Sequence, residues 1–468
     1  MPFADMPTLQ TAAPVAQAVP AEPRPFTWGD LLPSGVAEWF AVSQTLLPAM
    51  MFMPGSQAFR LPLRVGAYAV SLFALILWWF NRGGQRPARH PAERWLLWIG
   101  LYLVMMIAHP GTNSLLAGVA QMLLYVAIFC PVFWAPAYVQ TPRQLARILV
   151  ILLVCNGLNS IVGVLQVYDP VRWMPPQLSS VYTGDALAAV TYLGPNGRVI
   201  IRPPGLFDTP GAVCAAGTVA VLLGLILAVE PIDWWKRMTA LAFATAGISA
   251  IYLSHVRAAF MVTVGTLIVY LVLLGLQNEK RRATGFLSAA GALLAGGLAI
   301  SIVLGGQSVE DRFLTLLGSD PGQVYYESRG VQLESAFSSL AVNYPFGAGL
   351  ARWGMMRNYF GDAGTSEGGE LFAEVQPNAW ILDGGIPLLL LYSIALGLTA
   401  AYELKLIRDL ADRNDRLLTA VVTAANLGTL ALVFSFIPFG TAVGIQFWFF
   451  EGALYGAMAN QMRRARAV

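Results

Sequence analysis

The chain has 468 residues, 56% of them hydrophobic and only 12% charged, with a formal net charge of +3. This composition excludes an ordinary soluble globular protein. The small net charge gives no sign of a nucleic-acid partner. Residues 1–30, rich in Ala and Pro, lack the basic start and short apolar core of a cleaved signal. They read as a disordered cytoplasmic tail ahead of a single transmembrane domain, 31–468. Apolar runs near the ~20 residues needed to cross a bilayer predict about twelve transmembrane helices. These are 34–53, 64–80, 95–108, 114–138, 145–167, 210–229, 238–254, 258–276, 284–304, 378–401, 417–436 and 441–460. The expected class is an all-α polytopic membrane protein. Cys130, Cys155 and Cys214 all fall inside spans and read as packing residues. No internal repeat marks the inverted halves common in transporters.

The basic residues set the expected orientation. With the N-terminus inside, 19 of the 29 basic residues, all three lysines among them, fall in cytoplasmic segments. The other 10 are arginines on or near the outer side: Arg60, Arg64, Arg172, Arg198, Arg202, Arg257, Arg312, Arg329, Arg352 and Arg357. Arginine has a fixed charge and a forked set of donors suited to phosphate and carboxylate. The plain alternative for any one of them is a loop carboxylate or a lipid headgroup.

Two long outer gaps stand out, 168–209 and 305–377. In the first, Pro195-Asn196-Gly197 signals a turn and Val199-Ile200-Ile201 favours a strand, so a short hairpin is expected. Arg202 then precedes Pro203-Pro204-Gly205, with Asp208 or Thr209 as a cap and Pro210 in the first turn of the next span. A guanidinium near a helix N-terminus is a reasonable anion site. The second gap carries nine carboxylates against four arginines, interleaved with Tyr325, Tyr326, Tyr344, Trp353, Tyr359 and Phe360. Aromatic faces and carboxylates together suit sugars, and loops of this length commonly carry function. Within it, Ser328–Leu350 is expected to form a short amphipathic helix from Arg329, with Leu333, Phe337 and Leu340 on one face. Asn343 and Pro345 should stop that helix, and Gly347-Ala348-Gly349 should turn the chain. The stretch reads as a lid carrying a cation over a cavity; the plain alternative is a solvated cap.

Between the two gaps, Ser254-His255-Val256-Arg257 is a tight outer turn that holds Arg257 close to the hydrocarbon. An uncompensated charge there costs about 2–3 kcal/mol, which a bound anion or snorkelling would offset. Inside the spans, Glu451 reads as a bundle contact.

At these places the chain resembles the family of O-antigen ligases and Wzy-type polysaccharide polymerases. Arg202-Pro-Pro-Gly-Leu-Phe-Asp-Thr-Pro-Gly211 is similar to the family's arginine-then-G-x-F-x-N/D-P run, and Ser254-His-Val-Arg-Ala-Ala259 to its Ser-Arg-Gly/Ala turn. Arg329 through Gly349 resembles the arginine, amphipathic helix and P-x-G-x-G of the large periplasmic loop. Pro377-Asn-Ala-Trp-Ile-Leu-Asp-Gly-Gly-Ile-Pro387 resembles the helix H-N-x-x-L … G-x-x-G, with Pro377 where the family has histidine. The likeness spans about 200–395.

The resemblance implies a GT-C-like glycosyltransferase of the bacterial inner membrane, with its active site facing the periplasm. It would extend undecaprenyl-pyrophosphate-linked repeat units into exopolysaccharide or O-antigen. The alternatives are a ligase that passes the glycan to lipid A-core and, from another class, a flippase. Implied partners are the lipid-linked glycan, membrane lipids, and a chain-length regulator or export machinery. No Asp-x-Asp and no outer His/Cys cluster supports a metal, and no cofactor is implied. Arg257, Arg329 and Arg202 are the expected pyrophosphate ligands. Glu374, Glu370, Asp383 and His255 are candidates to take the acceptor proton. Tyr344, Trp353 and Asn378 are candidates for the glycan.

Overall fold

The computed structural model describes residues 33–53, 55–82, 89–174, 190–193, 199–207, 209, 211–306, 308–310, 313, 320–362 and 371–467. The N-terminal tail, the turn Pro195–Gly197, the cap Asp208 with Pro210, and Glu367 and Glu370 lie outside them. So do Arg198, Asp311 and Arg312.

Every apolar stretch named above is helical: Val36–Met50, Arg60–Asn81, Glu93–Ile107, Leu115–Phe129 continued by Pro131–Tyr138, Pro142–Tyr168, Val213–Val229, Trp234–Leu253, Arg257–Leu276, Lys280–Gly305, Gln376–Asp409, Arg413–Ala431 and Ala442–Ala467. Seven of the described helices are long and apolar enough to cross a membrane. The chain is thus an all-helical polytopic membrane protein, apart from one two-stranded hairpin. Leu97, Leu101 and Met105 lie along one side of a single helix, each at least half exposed. A bilayer, not water, is the solvent that suits such a side. Arg82 sits over the Trp79 ring at 3.5 Å, an interfacial anchor at the end of its helix.

Local sequence sets the helix ends. Thr141 and Gln144 form a capping box with Pro142 in the first turn. Asp412 accepts from the amides of Asn414 and Asp415. Small residues let the backbones approach: a side chain at Gly217 would meet the Gly247 carbonyl of the neighbouring helix at 2.8 Å.

Three expectations are revised. The hairpin forms, Thr191–Leu193 pairing antiparallel with Val199–Ile201. The helix after it, however, starts at Val213, beyond a turn at Gly211 (φ 70°). The loop helix starts at Pro321, not Arg329, and runs to Asn343 with π turns at Tyr326–Gly330 and Ala336–Leu340. Each π turn holds an extra residue and rotates the following side chains. Ala336 is therefore buried while Phe337 is 55% exposed, so Leu333, Phe337 and Leu340 do not form one buried stripe.

The Gln376–Asp409 helix is interrupted at Gly384 and Gly385, about 12 Å from its start at 1.5 Å per residue. Gly385 has φ 66° and ψ −160°, a conformation open to glycine alone, and a side chain there would overlap the Pro345 carbonyl. A broken helix inside a bilayer is tolerated only when other protein groups meet its freed backbone. Here the loop that precedes this helix does so. Ala348 donates to the Leu382 carbonyl (2.8 Å), and Ile386 donates to the Pro345 carbonyl (2.9 Å). Tyr102 donates to the Gly384 carbonyl (2.8 Å). The loop's other side rests on the turn 109–113, where Asn113 donates to Leu350 (3.1 Å) and Gly349 leaves no room for a side chain.

Candidate functional site

Arg202 is set by the chain that follows it. Gly205 exchanges two hydrogen bonds with the Gln166 side chain, at 2.8 and 2.9 Å, and Leu206 donates to Asn159 Oδ1 at 2.7 Å. Pro203 and Pro204 are buried. A side chain added at Gly211 would meet Val256 Cγ2 at 3.0 Å and an Arg202 terminal nitrogen at 4.0 Å, so Arg202 lies near the Val256 turn. Val256 immediately precedes Arg257, the first residue of its helix. Below this level, Cys214 donates to Ser254 Oγ at 3.0 Å, and Ser254 Oγ accepts the Val256 amide at 3.2 Å. Two chain segments that the sequence keeps apart, 202–214 and 254–257, are therefore one structural unit.

Arg329 comes from the loop helix that begins at Pro321, within electrostatic range of Arg202. Burial and the nearby Arg202 charge together hold its guanidinium below its usual range, opposed by Tyr325. Arg329 is paired with Glu374, and Gln332 donates to the same Glu374 oxygen at 2.6 Å. Both side chains of the ion pair are about one-third exposed, so the contact is open to exchange with another anion.

Adjacent to Glu374, Ala373 belongs to a small apolar cluster with Ala348, Ala379 and Leu382, against which Tyr344 and Trp353 pack. Asp383 lies at the edge of this cluster and is fully buried. Its carboxylate accepts Trp353 Nε1–H (3.1 Å), Tyr125 O–H (2.6 Å) and Gln121 Nε2–H (3.0 Å). Three neutral donors saturate it, and it ties the loop to the Leu115–Phe129 helix just above the break. Asn378 is 3% exposed, and its Oδ1 has no hydrogen-bond partner among the described residues.

The nine candidates that lie among the described residues therefore divide. Arg329 pairs with Glu374 and lies within electrostatic range of Arg202, and Arg202 lies near the turn that precedes Arg257. Tyr344, Trp353, Asp383 and Asn378 gather next to Glu374, joined through Ala373. His255 is buried in the tight turn with a left-handed backbone (φ 57°), between the site residues Ser254 and Val256. A separate narrow cleft between the helices is lined by Thr218, Thr266, Thr429, Gln446, Phe447 and Phe450.

Sequence reasoning missed Gln332, Gln121 and Tyr125. Each carries a signal. Gln332 stands three residues after Arg329 on a helix, and Gln121 and Tyr125 are four apart in an otherwise apolar run, so each pair shares a face. It also missed Glu403, Asn426 and the partnership of His90 with Glu451, a second buried polar group at the other end of the bundle.

No protein-family model matches the chain, and no curated protein matches it.

Proposed function

We propose that the protein is an inner-membrane glycosyltransferase that crosses the bilayer twelve times and extends lipid-diphosphate-linked glycans on the outer face. The observation that carries this reading is that Arg202 lies close enough to Arg329, from a separate loop, for its charge to depress that guanidinium, while Arg202 also lies near the turn that precedes Arg257. Like charges brought together at a partly buried place repel, and a shared dianionic group is the natural compensation. A lipid diphosphate supplies one.

In this reading Glu374 stands in for the substrate anion. When the diphosphate takes Arg329, the carboxylate is released beside it. The acceptor hydroxyl then attacks the anomeric carbon, the bond from that carbon to the phosphate oxygen breaks, and its electron pair stays with the diphosphate. The hydroxyl proton passes to Glu374. The arginines stabilise the charge that grows on the leaving group. Tyr344 and Trp353 border the surface on which the sugar would lie. Asp383 is assigned the task of holding Trp353 and the broken helix rather than moving a proton. Pro377, in place of the family histidine, favours chain extension over transfer to lipid A-core.

The test is an assay with purified protein and lipid-linked repeat units. A ladder of longer lipid-linked chains supports extension. Transfer solely to lipid A-core supports the ligase. A second reading, passage of a lipid-linked oligosaccharide across the membrane, is favoured by one observation. His90, Glu403 and Glu451 are buried at the opposite end of the bundle, where the transfer chemistry gives them no part. Movement of the lipid-linked glycan between vesicle leaflets, with no chain growth, would select it.

A further inference from the structure

Glu403 lies twenty residues beyond Asp383 on the same helix, about 30 Å along its axis. There Asn426 Nδ2 donates to Glu403 Oε1 at 2.9 Å and to Glu451 Oε1 at 2.6 Å. His90, in the connection before the Glu93–Ile107 helix, lies with Nε2 3.3 Å from Glu451 Oε2. None of the four side chains belongs to a residue more than 3% exposed. The Tyr402 and Tyr455 rings close over His90 edge-on, at 5.5 and 5.3 Å. The other charged groups at this place are Arg89, whose carbonyl accepts Tyr455 O–H, and Glu93, which pairs with Arg89.

The hydrogen bonds fix the charges. His90 Nδ1 accepts the Ala92 amide at 3.2 Å, so the ring proton sits on Nε2 and the neutral ring donates to Glu451. Asn426 spends its amide nitrogen on the two carboxylates, while its Oδ1, buried in the same group, has no donor among the described residues. The group is thus rich in acceptors and short of donors. No arginine or lysine is bonded to either carboxylate among the described residues. Two full negative charges on one amide nitrogen, away from water, cannot both persist.

We propose that Glu403 and Glu451 form a proton-binding site, with one proton held between the two carboxylates and His90 and Asn426 completing it as neutral donors. The proton supplies the donor that the group lacks. It joins the connection at residues 89–92 to the last three helices of the chain. Its loss leaves two anions in a dry interior and weakens that junction.

Infrared spectra of the full-length protein carrying carboxyl-labelled glutamate test this. The wild type should show a labelled protonated-carboxyl stretch at neutral pH, and the label excludes Asp383 as its source. The stretch should vanish in Glu403→Gln and in Glu451→Gln. The wild-type unfolding midpoint should fall as pH rises from neutral to about 9, and that of Glu403→Gln should not. A wild-type spectrum without the labelled stretch at neutral pH overturns the proposal even if neither variant folds. A stretch that survives both substitutions overturns it as well.

Discussion

Ala348 donates its amide to the Leu382 carbonyl at 2.8 Å, so the preceding loop supplies the hydrogen bond that the broken helix cannot make for itself. The loop is held from below by a defect in a membrane helix, and this sets the height of everything that precedes and follows it. Gly385→Ala and Gly349→Ala put a side chain into the Pro345 and Gly111 backbones respectively, in conformations that cost about 1–3 kcal/mol before any clash. Each should lower the unfolding midpoint in detergent, and both together should add little, because they disrupt one junction. Ala at Gly275, where a side chain would meet nothing, is the control.

Trp353→Phe removes one of the three donors to Asp383 and leaves a buried carboxylate oxygen short of a partner, at about 1–3 kcal/mol. Asp383→Asn turns an acceptor toward three donors into a partial donor and should cost at least as much. In both variants activity and stability should fall together. Activity lost at wild-type stability would instead make Asp383 a participant in the reaction.

Glu374 occupies Arg329 in the resting protein. Glu374→Gln should therefore raise the affinity for a short polyprenyl diphosphate, up to about ten-fold for one freed charge-assisted bond. The same change should lower the rate of chain extension, since the proton acceptor is gone. Weaker diphosphate binding in this variant would contradict the assignment of the pair.

On the other side of the bundle, Arg413 donates to Glu279 through two nitrogens and holds the carboxyl below its ordinary range. A depressed folded value means that the contact contributes above the unfolded value of about 4.3 and is lost as pH falls below it. Arg413 is 57% exposed, so the effect is small and salt-sensitive. The unfolding midpoint should drop slightly below about pH 4, and Glu279→Gln should remove that part of the dependence.

The positions of the apolar helices were legible, because one period and one length decide them, and seven of those described are long and apolar enough to cross a membrane. Pro345-Phe-Gly-Ala-Gly349 announced a turn, whereas the break at Gly384 and Gly385 is not anticipated within the expected span 378–401. Their interlocking depends on two loops meeting in space, which no local pattern encodes. Phe337 shows the limit of periodicity: the π turn at Tyr326–Gly330 shifted its face, and nothing in its neighbours marks that turn. The pairing of His90 with Glu451 joins residues 361 positions apart, and each alone looks like an ordinary polar residue in a greasy chain.

The central claim is that Arg202 and Arg329, from different loops, bind one anion together. Binding of a short polyprenyl diphosphate to the wild type, Arg202→Ala, Arg329→Ala and the double variant tests it most directly. Each single change should weaken binding at least ten-fold, and the double variant should lose much less than the product of the two. Unchanged affinity in either single variant, or losses that simply multiply, would contradict it.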